Sequence, residues 1–121
     1  MTKSEEDFFT KFLKMFPEFK GFYTKHLQVN GEVLPYVLMG DVTRFIIKMY
    51  RQGKISQNAL DNDNFNRAIN FLEDSYANLP DPIQDIIDLS FLENLHQAGE
   101  DYDSIKEQLG PILKERLADF E

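Results

Sequence analysis

The chain has 121 residues and a formal net charge of −8, and its length allows one compact domain. Hydrophobic residues make up 42% of the sequence, which is enough for a buried core and argues against wholesale disorder. The excess of acidic residues argues against DNA, RNA or an anionic membrane as the main ligand, because each favours a positively charged protein. Cysteine is absent, which excludes disulfides and thiolate chemistry and is compatible with a reducing compartment. No apolar run approaches the roughly 20 residues that a membrane span requires, and the acidic, polar N-terminus does not resemble a signal peptide, so we expect a cytoplasmic protein.

Helical periodicity governs the first quarter of the chain. Ser4 is predicted to cap a first helix, and Pro17 falls in the first turn of a second helix. That helix should end at Asn30-Gly31, which is a strong stop signal. The apolar faces of the two helices are formed by Phe8, Phe9, Phe12, Leu13 and Phe16, and by Phe19, Phe22, Tyr23, His26 and Leu27.

A glycine is predicted to interrupt the next apolar segment. A short helix would begin near Pro35 and break near Gly40, and Asp41 would cap the helix that follows. Gly53 would end that helix. Its buried stripe is predicted to contain Val42, Phe45, Ile46, Met49 and Tyr50.

Prolines and polar clusters divide the middle of the chain. One or two helical turns are predicted over Ile55–Leu60, and a polar turn with a cap over Asp61–Asn64. The segment Leu79–Pro82 should stop one helix and start another, with Asp81 as its cap and Pro82 at its first position. The stripe between these signals contains Phe65, Ala68, Ile69, Leu72 and Tyr76.

The helix after Pro82 is apolar around more than half of its circumference, so we expect it to be central. A loop is predicted over Gln97–Glu100. Gly110-Pro111 lies inside the last helical pattern, and an interior proline removes a backbone hydrogen bond, so we expect a kink or two short helices. The apolar positions of the central and last segments are Ile83, Ile86, Ile87, Leu89, Phe91, Leu92 and Leu95, and Ile105, Leu109, Ile112, Leu113, Leu117 and Phe120.

Residues that could support catalysis or metal binding do not form a complete site. Glu93 and His96 match the Glu-x-x-His half of a di-iron site, but His26 has Tyr23 rather than a carboxylate three residues before it. Residues 61–66 resemble the start of a calcium loop that lacks its required glycine and final glutamate. Glycine-rich phosphate loops and the Gly-x-Ser-x-Gly motif are absent. We therefore expect no metal, no cofactor and no enzymatic activity.

The distribution of charge is the most informative feature of the sequence. Residues 68–105, called the acidic block below, contain nine acidic residues and no Lys or Arg, although the residues before them carry a net positive charge. Asp81, Asp85 and Asp88 are spaced four and three residues apart and should share one solvent-facing side of a helix. Concentrated charge opposes folding through self-repulsion, and aromatic residues beside carboxylates suit a protein interface. The candidate partner-binding residues are Glu73, Asp74, Tyr76, Asp81, Asp85, Asp88, Glu93, Glu100, Asp101, Tyr102 and Asp103.

The acidic block is equally compatible with two arrangements that need no binding partner. Acidic residues near a helix N-terminus also stabilise the helix dipole, and a run of charges is usually a solvated face. A counterion within the chain exists as well, because Arg44, Lys48 and Arg51 repeat the spacing of the three aspartates. These two charged stripes could therefore pair within the monomer.

The segment from Glu32 to Arg44 resembles a family of small acidic helical bacterial proteins of unknown function. The segment Phe91–Leu95 and the pair Gly110-Pro111 are similar as well. This resemblance implies no established reaction, but proteins of this size and acidity look like immunity proteins, which protect bacteria from toxins delivered by sibling cells. The residues that carry the first motif are Leu34, Pro35, Tyr36, Leu38, Met39, Gly40, Asp41 and Thr43.

We expect an all-α fold, a single-domain irregular bundle of five to seven helices that spans residues 1–121. The expected function is that of an immunity protein that binds and neutralises a cognate toxin domain, for example a nuclease whose basic cleft a carboxylate array can fill. The partner would be a basic protein, a toxin C-terminal domain, rather than nucleic acid or a membrane. The alternative is a non-enzymatic adaptor or regulatory protein that acts through self-association or partner binding, with the apolar segment Val33–Met39 as its dimer contact. The expected oligomeric state is therefore a monomer or a homodimer.

Overall fold

The structure, a computed structural model, describes residues 1–56 and 59–121, and for residues 59–62 it describes the backbone alone. Within these ranges the chain forms helices and turns but no β-strand, which confirms the predicted all-α class. The α-helices are α1 (Lys3–Met15), α2 (Lys20–Asn30), α3 (Pro35–Ile55), α4 (Ala59–Asn78), α5 (Asp81–Ile87), α6 (Tyr102–Gln108) and α7 (Pro111–Leu117). Shorter helical segments are the 3₁₀ turns Pro17–Phe19, Leu95–Asp101 and Ala118–Phe120 and the π-helical segment Asp88–Leu92.

The start of α1 is fixed by a capping box rather than by the predicted cap. The Thr2 hydroxyl accepts the Glu5 backbone N–H over 3.2 Å, and the Glu5 carboxylate accepts the Thr2 N–H over 2.8 Å. Ser4, the predicted cap, lies inside the helix. At the other end of this helical pair the prediction is confirmed, because α2 ends at Gly31 with a φ of +76°.

Helix α3 runs without interruption through Gly40, so the predicted break and the predicted cap at Asp41 are wrong. Pro35 is the first helical residue, as predicted, and the helix also continues past Gly53 to Ile55. A helical glycine costs only about 1 kcal/mol relative to alanine. Complete burial of Leu38, Met39 and Val42 offsets that cost, since each such side chain contributes about 1.5–3 kcal/mol.

Helix α4 includes the segment Asp61–Asn64, which the sequence predicts as a polar turn. The turn predicted over Ile55–Leu60 lies partly outside the described residues. The proline signals at the other end of α4 are confirmed: α4 stops at Asn78 and α5 starts at Asp81, with Pro82 in the first turn. Pro80 rather than Asp81 holds the cap position, and the Asp81 side chain makes no capping hydrogen bond.

Helix α5 continues directly into the π-helical segment, where the Glu93 N–H donates to the Asp88 carbonyl over 3.1 Å. This bond spans five residues instead of four, so the turn holds one extra residue. The buried apolar positions are shifted by the same amount, from 83, 86 and 87 before the turn to 91, 92 and 95 after it. Continuous α-helix would place the second set at 90, 91 and 94. The wide apolar arc expected of one central helix is therefore two narrower arcs, and Leu89 between them is 49% exposed.

The last third of the described chain is made of short helical pieces. The predicted loop Gln97–Glu100 belongs to a 3₁₀ segment interrupted at Gly99, whose φ is +59° and ψ is −120°. Gly110 separates α6 from α7, which confirms the two short helices predicted at Gly110-Pro111. Ile112 of the predicted apolar stripe is partly exposed, whereas Leu109, Leu113 and Leu117 are buried.

One hydrophobic core joins these elements. Helix α3 lies at its centre and packs against α4, α5 and the π-helical segment. Phenylalanine rings fill the side nearest α1: the Phe12 ring centroid lies 5.2 Å from that of Phe19 and 6.1 Å from that of Phe45. None of the described helices has the length and apolar character that a membrane crossing requires.

Candidate functional site

The structure divides the eleven candidate partner-binding residues by exposure. Asp88 and Asp101 are buried, whereas Glu73, Tyr76 and Tyr102 are partly buried. The shared solvent-facing side predicted for Asp81, Asp85 and Asp88 therefore holds for the first two only. The carboxylates that reach solvent are Asp74, Asp81, Asp85, Glu93, Glu100 and Asp103, called the exposed acids below.

Asp88 is part of an internal ion pair that joins α7 to the π-helical segment. One oxygen of its carboxylate accepts a hydrogen bond from Nε of Arg116 over 3.1 Å, and the other accepts one from Nη2 of Arg116 over 3.2 Å. The Tyr76 hydroxyl donates a third hydrogen bond to the same carboxylate over 3.3 Å. These bonds to the carboxylate raise the pKa of Arg116. Burial, together with the neighbouring carboxylate, raises the pKa of Tyr76. Asp88 and Tyr76 therefore already have partners within the fold.

Asp101 pairs with the basic side of α3. Nε of Arg51 donates to it over 3.0 Å and Nζ of Lys54 over 2.9 Å, while Nη2 of Arg51 also donates to the Ala98 carbonyl over 2.9 Å. Hydrogen bonds from both cations hold the pKa of Asp101 below its ordinary value. Internal pairing between α3 and the acidic block is thus present at a residue other than those predicted.

The remaining bases of the predicted α3 stripe do not reach the three aspartates. Arg44 forms an ion pair with Asp41 on its own helix. Lys48 is exposed and makes no ion pair in the described part of the chain. The predicted pairing of Arg44, Lys48 and Arg51 with Asp81, Asp85 and Asp88 is therefore wrong.

Glu73 caps a helix that lies far from it in the sequence. Its carboxylate accepts the backbone N–H of Ile112 over 2.6 Å and that of Leu113 over 3.1 Å, at the N-terminus of α7. A negative charge is favourable there because the first N–H groups of a helix have no partner within the helix. The approach is close, since a Cβ at Gly110 would lie 2.4 Å from Cδ of Glu73. No local sequence pattern indicates a cap supplied from 39 residues away.

Glu93 and Tyr102 lie in one cleft of about 420 Å³ with two residues that the sequence patterns do not single out as binding residues, Phe120 and Glu121. The Tyr102 hydroxyl donates to Glu121 over 3.0 Å, and partial burial with this bond raises the pKa of Tyr102 to about 12. Lys106 donates to the same carboxylate over 2.7 Å. Phe120 and Glu121 were missed because they follow the acidic block in sequence and approach it only in the fold.

The exposed acids form no ion pairs with Lys or Arg in the part of the chain that the structure describes. Asp81 and Asp85 lie one turn apart on the outer side of α5, and Glu93 lines the cleft that contains Tyr102. Across the described residues, His, Asp and Glu side chains form no group of three that could hold a metal ion. The surface can therefore attract cationic groups, and it offers an aromatic contact beside them.

Comparison with known proteins identifies a family but no activity. Residues 9–120 match a family described as a domain of unknown function (DUF7674), and the chain belongs to this family. No curated protein and no solved structure matches the chain. The family therefore agrees with the expected group of proteins of unknown function and carries no information on toxin immunity.

Proposed function

We propose that this protein is a non-enzymatic, cytoplasmic immunity protein that binds a basic toxin domain through the exposed acids. The observation that supports this proposal is the presence of six exposed carboxylates, none of which forms an ion pair with Lys or Arg among the described residues. Charge that is not neutralised within the fold reduces stability by self-repulsion, and a cationic partner removes that repulsion on binding. Asp88, Asp101 and Glu73 do not belong to this surface, because they stabilise the fold.

The mechanism follows from the position and chemistry of the surface. Carboxylates that face solvent attract a basic cleft over several ångströms and speed its association with the protein. The Tyr102 and Phe120 side chains in the adjoining cleft add apolar contact area at little cost in conformational entropy. Bound in this way, the protein would cover the cleft with which a nuclease-type toxin holds phosphates.

The experiment is capture from a lysate of the native host with three baits. The first bait is the unchanged chain, and the second carries Asp81→Lys, Asp85→Lys and Glu93→Lys. The third carries Glu6→Lys, Glu18→Lys and Glu32→Lys, a charge change of the same size at exposed positions outside the acidic block. Circular dichroism of all three baits checks that helix content is the same. The proposal predicts that baits one and three retain the same basic protein, that salt weakens the retention, and that bait two loses it.

The captured protein then undergoes a functional test. Its expression should stop growth, and co-expression of the unchanged chain should restore growth whereas the second bait should not. Equal retention by baits two and three would show that the exposed acids are not the interface. A captured protein with no toxic effect would exclude the immunity function.

Exposed apolar side chains at the end of α2 and the start of α3 support a second candidate, an adaptor that self-associates. Val29 near the end of α2 is 72% exposed, and Tyr36 and Val37 in the first turn of α3 are 46% and 48% exposed. Leu38 and Met39 are fully buried, so Tyr36 and Val37 are the exposed residues of the segment predicted for dimerisation. Light scattering distinguishes the two candidates: a mass that rises with concentration, and falls to the monomer value in Val37→Lys, favours the adaptor.

A further inference from the structure

A groove between α1 and α4 lies outside the cleft that contains Tyr102. It has a volume of about 740 Å³, and its floor is apolar, formed by Phe8, Phe71, Met15 and Leu79. The rings of Phe8 and Phe71 stack with centroids 5.1 Å apart, so the two helices are joined at the base of the groove. The groove is open to solvent above this stacked pair.

The walls of the groove carry charges of opposite sign. Lys11 and Lys14 are exposed on the α1 wall, and Asp74 is exposed on the α4 wall. Asp7 lies on α1 toward its N-terminal end. None of these four side chains forms an ion pair within the described ranges. The α1 wall therefore has a cationic section at Lys11 and Lys14, and the α4 wall carries the anionic Asp74.

The spacing of the lining residues defines the shape of a fitting ligand. On α1 the lining positions are 4, 7, 8, 10, 11, 14 and 15, and on α4 they are 71, 74, 75 and 78. Positions three or four residues apart, such as 4, 7, 11 and 14 on α1 and 71, 74 and 78 on α4, lie on one face of each helix. Two helix faces that border an apolar channel match the arrangement in which a third, amphipathic helix packs into a groove.

We propose that this groove binds an amphipathic helix of a partner protein, with acidic residues on one flank of its apolar stripe and basic residues on the other. The apolar stripe covers Phe71, Met15 and Leu79. The acidic flank faces Lys11 and Lys14, and the basic flank faces Asp74. The groove shares one residue, Asp74, with the exposed acids, and its other lining residues lie outside that set.

The test uses three synthetic peptides of about 15 residues, long enough to form helix when bound. All three share one leucine stripe. The first has a Glu flank and a Lys flank, the second has Glu on both flanks, and the third has Lys on both flanks. Because the chain lacks cysteine, a Thr10→Cys variant carries one environment-sensitive fluorophore on the exposed rim of the groove. The mixed peptide should bind at least about tenfold more tightly than either single-sign peptide, because each of those places like charges against one wall.

A charge reversal inside the groove provides the decisive comparison. Lys11→Glu with Lys14→Glu makes both walls acidic, so the peptide with two Lys flanks should become the tightest ligand. The matched control, Lys20→Glu with Lys25→Glu, changes the net charge equally at exposed positions outside the groove and should leave the mixed peptide preferred. Binding of none of the peptides, or an unchanged preference in the Lys11 and Lys14 variant, would overturn the proposal.

Discussion

The backbone N–H of Leu34 donates a hydrogen bond to Nε2 of His26 over 3.0 Å. His26 lies in the last turns of α2 and is 3% exposed, and Leu34 is the residue before α3, so this bond joins the two helices across their connection. Nε2 accepts this hydrogen bond, and Nδ1 of the same ring lies 3.7 Å from Oδ2 of Asp41 and 3.3 Å from Nδ2 of Asn30. Asp41, predicted as a helix cap, thus faces His26 from within α3.

Replacement of His26 by Ala should lower the free energy of unfolding by about 2 kcal/mol, since it leaves the Leu34 N–H without its partner. Urea unfolding followed by circular dichroism measures this loss. The control is His96→Ala, which changes the other histidine of the chain at an exposed position and should have little effect. Equal losses in the two variants would contradict a structural role for His26.

The cap that Glu73 supplies to α7 predicts coupling between Glu73 and Gly110. Glu73→Ala should cost about 1 kcal/mol, the usual value of a lost helix cap. Gly110→Ala should also destabilise the protein, because its Cβ would displace the Glu73 carboxylate. In the Glu73→Ala background the same Gly110→Ala change should cost less, since the obstructing carboxylate is gone. A double-mutant cycle in urea measures this coupling, and simple additivity would contradict it.

Gly40 and Gly99 should respond in opposite directions to alanine. Gly40 has helical neighbours on both sides, and a Cβ there would meet the Arg44 guanidinium at an ordinary 3.6 Å. Gly40→Ala should therefore raise the free energy of unfolding by about 0.5–1 kcal/mol. Gly99 has a φ of +59°, so Gly99→Ala should lower it by about 1–2 kcal/mol. Thermal unfolding of both variants checks the signs, and a loss in Gly40→Ala would indicate that Gly40 has a role beyond the helix.

Asp101 should make stability depend on pH in acid. Lys54 and Arg51 hold the pKa of Asp101 in the folded protein below its ordinary value of 3.8. At a pH between the lowered pKa and the ordinary one, the unfolded chain therefore binds a proton that the folded chain does not. The contribution of Asp101 to the free energy of unfolding is complete at a pH above its ordinary pKa, and it is lost as the pH falls through the lowered pKa. Asp101→Asn should be less stable than the unchanged protein at neutral pH, and the gap should close in acid. Urea unfolding between about pH 2 and pH 6 measures the gap, and a constant gap would contradict the prediction.

Sequence signals predicted helix boundaries well where a residue imposes its own backbone geometry. The positive φ at Gly31 and the proline at position 111 end or begin helices as expected. The sequence signals gave wrong boundaries at Gly40 and Gly53, whose dihedral angles are helical. Burial of the surrounding apolar stripe outweighs the low helix propensity of glycine at these positions. At these two glycines the low helix propensity and the tertiary packing favour different structures, and the packing determines that the helix continues.

The uses of the acidic residues were less predictable than the helices. Composition identified the acidic block, but it did not separate the carboxylates that stabilise the fold from those that face solvent. Asp88 pairs with Arg116, which lies 28 residues away in the sequence, and Glu73 caps the N-terminus of α7 from 39 residues away. Such partners depend on how the helices pack, and the periodicity of a single helix contains no information about them.

The π-helical segment that follows α5 contains one residue more than a continuous α-helix would need. Loss of Leu89, its half-exposed member, would shift the apolar residues after it into the α-helical register of those before it. A deletion in a regular buried helix turns every later side chain by about 100° away from its contacts. Here the deletion would instead convert a π turn into an α turn, and it would disturb the Ser90 carbonyl, which accepts hydrogen bonds from Thr43 of α3 and from Asn94. We therefore expect the deletion of one residue to be tolerated better at this point than within a regular buried helix.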